Sequence, residues 1–139
     1  MLANTLNTNE IKNASGTEQE FQRLKLGDGR TEFALIGESP AVPHRLIVSH
    51  QETGSGISRR RRSVVRFDKT AVSVYDGTRF VKDSVYVVMD RSIGDQSDDT
   101  VPKMLLANLL SFLATTGAAT TVLFDGTGTG ASNLLSAGI

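Results

Sequence analysis

Between His44 and Asp90 the chain alternates. Leu46, Val48 and His50 fall on one parity and Arg45, Ile47 and Ser49 on the other; Val81, Val85, Val87 and Met89 likewise oppose Lys82, Ser84, Tyr86 and Asp90. A period of two marks strands that bury one face. A long extended stretch over residues 59–75 lies between these segments, with Val64, Val65, Phe67, Val72 and Val74 as its apolar members. Gly54-Ser55-Gly56 and Asp76-Gly77 supply the turns, so the three segments pair antiparallel. Upstream, two stretches rich in Phe and Leu between Gln19 and Ile36 flank Gly27-Asp28-Gly29 and predict a β-hairpin. Pro40 and Pro43 then interrupt pairing. The first sixteen residues, with only Leu2, Leu6 and Ile11 large and apolar, read as an arm or a weak edge strand.

The period changes after residue 98. Val101, Met104, Leu105, Asn108, Leu109, Phe112 and Leu113 recur at helical spacing until Gly117, Asp99 or Thr100 can cap, and Pro102 sits in the first turn, where its missing N–H costs nothing. Asp95, Asp98 and Asp99 precede this helix; compensation of its N-terminal partial charge is a simpler account of them than a cation site. Residues 120–124 and 131–135 are short apolar pieces joined by a Gly-rich link, and either could be a second short helix.

The order of elements predicts an α+β fold: an amino-terminal β-hairpin, a five-stranded antiparallel sheet and carboxy-terminal helices. A helix of about fifteen residues is about 22 Å long and cannot alone cover such a sheet. A partner subunit is expected to supply the remaining cover, leaving the other face open and polar.

Length and charge sharpen this picture. At 139 residues the chain holds one domain, residues 1–139, with an arm at 1–16 and a Gly-rich tail at 125–139. Its 15 Lys and Arg balance 15 Asp and Glu, which excludes a histone-like or an acidic disordered chain. The distribution is uneven: residues 41–91 carry ten basic and five acidic side chains, an excess of +5 that the remainder offsets. One surface is therefore expected to be cationic. No stretch approaches the ~20 apolar residues that span a bilayer, and the polar start lacks a secretory pattern, so a soluble, membrane-free protein is expected. Asn13-Ala14-Ser15 forms a glycosylation sequon, which without secretion has no use.

Arg59 to Arg62 is the sharpest chemical signal. Alone, such a run is as easily a solvated strand end beside a glycine turn. Its setting adds weight: Arg60, Arg62, Val64, Arg66, Asp68 and Thr70 share one parity, more polar than that of Val65, Phe67 and Ala71. If neighbouring strands keep this sense, Arg45 and Ser49 join from one side and Lys82, Ser84 and Tyr86 from the other. Cations for phosphate, hydroxyl donors and an aromatic surface are what single-stranded or looped RNA needs.

Other chemistries fail on inventory. No cysteine is present, which removes disulfides, thiolate ligands and a Cys nucleophile. His44 and His50 stand about 20 Å apart on a continuous strand and cannot share a metal. Gly126, Gly128 and Gly130 lack the Gly-Lys-Ser/Thr ending of a phosphate loop, and a flexible connection is expected there. Gly54-Ser55-Gly56 is a turn rather than a nucleophile elbow. No enzyme active site, cofactor or metal site is expected.

Residues 59–74 (RRRRSVVRFDKTAVSV), 84–91 (SVYVVMDR) and 98–117 (DDTVPKMLLANLLSFLATTG), in this order, resemble the coat proteins of single-stranded RNA bacteriophages, the levivirus group. The likeness covers about residues 17–124, in pattern more than identity. It implies an intertwined dimer with a continuous ten-stranded sheet, each subunit's helices packed over its partner. It further implies a T=3 icosahedral shell in a virion assembled in the bacterial cytoplasm, with the sheet facing genomic RNA. Relatives also bind an RNA hairpin and so repress translation. Carried over by position, the RNA-facing residues are Arg62, Val64, Arg66 and Asp68, with Arg45, Ile47 and Ser49, and Lys82, Ser84 and Tyr86. Together with Arg60 from the basic run, the expected RNA-binding set is Arg45, Ser49, Arg60, Arg62, Arg66, Lys82, Ser84 and Tyr86. Ile47 and Val64 are apolar where polar contacts are expected, which weighs against base-specific readout and leaves phosphate binding intact. The Gly-rich end departs from the family's usual short second helix, and without cysteine no disulfide can staple a shell. The competing reading is a cellular dimeric RNA- or DNA-binding regulator on an open antiparallel sheet.

Overall fold

A computed structural model describes residues 2–95, 98–117 and 122–137. Six strands follow one another in sheet order: β1 (Thr5–Leu6), β2 (Phe21–Gly27), β3 (Arg30–Leu35), β4 (His44–Thr53), β5 (Arg60–Val72) and β6 (Phe80–Ser92). Every neighbouring pair is antiparallel. Two helices follow, α1 (Thr100–Ala114) and α2 (Thr129–Ser136). The fold is α+β, as the pattern predicts. The sheet has six strands rather than five because residues of the amino-terminal arm pair with Phe21 and Gln22 as the two-residue β1.

The chain forms two compact units, residues 2–11 with 19–95 and residues 12–18 with the helical region after 98. In the first, the β2–β3 hairpin turns at Asp28-Gly29, where Gly29 has φ +65° and its carbonyl accepts from the His50 N–H at 2.6 Å. A Cβ on Gly29 would lie 2.4 Å from the His50 carbonyl oxygen, so the hairpin can lie this close to β4 only with glycine at its tip. Leu6, Phe21, Phe33 and Leu46 form the buried core, with Ile11, Leu35, Val48 and Phe67 packed around them. His44 joins this face through ring contacts with Phe21 and Phe67 at centroid distances of 5.1 and 6.3 Å. The alternation of β4 is borne out: Leu46, Val48 and His50 share the apolar side.

In the second unit, Asp99 takes the N-cap position of α1 without a side-chain capping bond, and the Asp98 carboxylate accepts from the Thr100 N–H at 3.2 Å. The helix ends where the Thr115 N–H reaches the Ser111 carbonyl. The glycines after Phe124 overturn two expectations. They are not merely a flexible link, and the chain does not lack a short second helix, because α2 spans Thr129–Ser136. A Cβ on Gly128 would meet the Leu113 carbonyl at 2.3 Å, and one on Gly130 the Phe112 carbonyl at 2.4 Å. These glycines let α2 lie directly against α1. The apolar piece at 131–135 therefore belongs to α2. In the piece at 120–124, Thr120 and Thr121 lie outside the described residues, and Val122 bridges to Thr115 in extended pairing.

Candidate nucleic-acid interface

Register fixes which side chains share the polar face. Arg45, Ile47 and Ser49 of β4 stand opposite Asp68, Arg66 and Val64 of β5. Those same β5 residues stand opposite Ser84, Tyr86 and Val88 of β6, while Thr70 faces Lys82, Arg62 faces Asp90 and Arg60 faces Ser92. Directly paired residues project to one side of a sheet. All eight residues of the expected set therefore emerge on one face, with Arg45–Asp68–Ser84 and Ile47–Arg66–Tyr86 as adjacent cross-strand rows. Tyr86 is 61% exposed beside Arg66.

The hairpin extends this face, which strand-by-strand reading of the basic region misses. Lys25 pairs with Glu32, which pairs with Ile47, and Arg30 pairs with Ser49. Lys25, Gly27, Arg30 and Glu32 line a shallow pocket of about 190 Å³. The available signal was the short Asp28-Gly29 turn, which sets the register of β2 against β3 and hence the parity of both.

Acids are threaded through the cations. Asp68, 4% exposed, accepts from Arg66 Nε at 2.6 Å and from the Ser84 hydroxyl at 2.6 Å, and pairs with Lys82 Nζ at 3.1 Å. Arg66 Nη2 also donates to Ser84 Oγ at 3.2 Å. Burial alone would push the Asp68 carboxyl up, but the hydrogen bonds from Ser84, Arg66 and Lys82 and the Lys82 charge outweigh it and hold its pKa at about 2. Arg60 pairs with Asp90 at 2.9 Å. Arg45 binds Glu38 and lies 3.7 Å from Glu32, which Arg30 also approaches at 3.6 Å. Arg62 is exposed and its side chain makes neither an ion pair nor a hydrogen bond among the described residues. The basic run thus divides: Arg60 is engaged, Arg61 points to the opposite face and binds Glu52 at 2.6 Å, and Arg62 stands open, while Arg66 beyond the run is engaged by Asp68.

The opposite face is uneven. Under the arm a groove of about 620 Å³ is lined by Leu2, Leu6, Leu46, Val48, Val65 and Phe67, among others. Further along, Val65, Val81 and Val85 are 42%, 42% and 65% exposed. In the helical unit, Val101, Met104, Leu105, Leu110 and Phe112 are exposed and only Ala114 of α1 is buried. No helix among the described residues is long and apolar enough to cross a membrane.

No family model matches this chain, and no curated protein does. Solved structures do match. The chain is similar to the bacteriophage EMS014 coat protein with a TM-score of 0.64, at 4% identity over 86% of each chain. It is similar to the capsid protein of bacteriophage GA with a TM-score of 0.56, at 17% identity over 96% of this chain and 93% of that one. Against the virus-like particle of bacteriophage AVE015 the TM-score is 0.55, at 11% identity over 86% and 80% of the two chains. At these identities the common property is the fold.

Proposed function

We propose that this chain, which shares its fold with bacteriophage coat proteins, is a capsid subunit that pairs with a second copy, assembles into an icosahedral shell and packages single-stranded RNA against its polar sheet face. The observation that carries the reading is the shared fold over most of the chain, combined with one polar, cation-rich face and an apolar face left open. Open apolar surface of this extent calls for a protein partner. β6 ends the sheet order, so a second copy's β6 can continue the ladder there. Two copies joined at β6 would form ten main strands, extended at each end by the short β1. The exposed apolar residues of α1 are of the kind that cover a partner's sheet.

RNA binding follows from the chemistry of the polar face. Arg62 offers a free guanidinium, Arg30, Arg60, Arg66 and Lys82 add charge around it, and Tyr86 offers a stacking surface. Ile47 and Val64 add apolar surface among these groups, which favours backbone binding over base-specific readout; repression of translation through an RNA hairpin is a further role this face would serve only where it also reads bases. The place of action is the virion, after assembly in the bacterial cytoplasm. Expression of the chain alone should give particles of roughly 25 to 30 nm in electron micrographs, the size expected of a closed shell of this family. Discrete monomers or dimers at every salt and protein concentration would instead favour a cellular nucleic-acid-binding regulator.

A further inference from the structure

Asp68 sits where an RNA phosphate would have to compete. Its carboxylate is buried within the polar face, on β5, which is paired on both sides, and holds Arg66, Lys82 and Ser84 at 2.6, 3.1 and 2.6 Å. Stripping those partners from it would leave a buried, unpaired charge, which is costly. We propose that Asp68 is an internal competitor that occupies Arg66 and Lys82 and so limits how tightly this face grips any short polyanion. This inference rests on the RNA-binding reading. The Asp68, Arg66 and Lys82 trio presents one net positive charge instead of two, and Arg62 is left as the freest contact. Affinity then has to accumulate from many subunits along a long RNA rather than from one tight site.

The test is binding of a labelled oligouridine of about 20 nucleotides to the unassembled full-length protein across a salt series. Asp68→Asn should bind about ten-fold more tightly at low salt, and its log affinity should fall more steeply with log salt by about 0.7, the slope of one additional phosphate contact on a single strand. Asp83→Asn makes the same change in net charge but lies on the other face, opposite Lys69 in the strand register, and should alter affinity less than about two-fold. Lys82→Gln should cost more in the Asp68→Asn background than in the wild type, because only there is Lys82 released. If Asp68→Asn does not fold, Lys82→Gln alone should lose less than about three-fold against about ten-fold for Arg62→Gln, and equal losses overturn the inference. Wild-type binding that depends on Arg62 but is unchanged by Asp68→Asn refutes the role of Asp68 and spares the RNA reading. No binding by any variant at low salt refutes the RNA reading itself.

Discussion

One face of the sheet is finished at the β2–β4 end and unfinished at β6. Phe21 and Phe33 are fully buried and Leu46 nearly so, because the arm folds Leu6 and Ile11 over them. On the same face Val85 is 65% exposed and Val81 42%. Both ends offer apolar side chains to this face, Phe21 and Phe33 at one and Val81 and Val85 at the other. What differs is cover supplied from within the sheet's own unit. On the proposed reading, the completed end sets the stability of the single chain and the bare end sets its association.

Substitutions should separate the two ends cleanly. Phe33→Ala removes a fully buried ring and should destabilise the subunit by about 3–5 kcal/mol in denaturant unfolding. Gly29→Ala forces both a positive φ and a clash with the His50 carbonyl, and should cost about 1–3 kcal/mol in the same assay. Val85→Asp, at the bare end, should leave subunit stability within about 0.5 kcal/mol yet abolish particles in electron micrographs. A large loss of subunit stability from Val85→Asp would dissolve the distinction.

Acid should sharpen the contrast between the faces. The folded-state pKa of Asp68 is depressed from 3.8 to about 2, so its contribution is complete above about pH 4 and is lost as pH falls through 2. With the half-exposed heads of Arg66 and Lys82 screened by water, that loss should be about 1–2 kcal/mol, and Asp68→Asn should remove it. His44 gives the smaller effect on the apolar face. Burial beside Phe21 and Phe67, then the nearby Lys69 charge, lower its pKa below 6.5, and its Nδ1 is buried without a hydrogen-bond partner among the described residues. The folded state therefore binds fewer protons than the unfolded one, and stability should decline as pH falls below 6.5. His44→Phe should flatten that decline in thermal melts across pH.

Much of this was legible in the alternation of β4, β5 and β6, because a period of two assigns faces residue by residue and turns fix the pairing. Arg62 and Arg66 share a face for that reason alone. The helix α1 was equally plain from its spacing and Pro102. By contrast, β1 is two residues long and carries no period, and α2 was obscured by Gly128 and Gly130, whose low helix propensity conceals their use in close packing. The hub at Asp68 was hidden for another reason. Parity places an acid among cations, but only the side-chain geometry shows that it holds Arg66, Ser84 and Lys82 together while Arg62 stays free.

On the proposed function, the face bearing Arg62 and Arg66 meets packaged RNA. The most direct measurement is the ultraviolet absorbance ratio, 260 over 280 nm, of purified wild-type particles and of the double variant Arg62→Glu with Arg66→Glu, after ribonuclease treatment. Protected RNA is expected in the wild type and a marked loss of it in the variant, with the circular dichroism of the fold retained. Equal RNA content in a folded variant would contradict it.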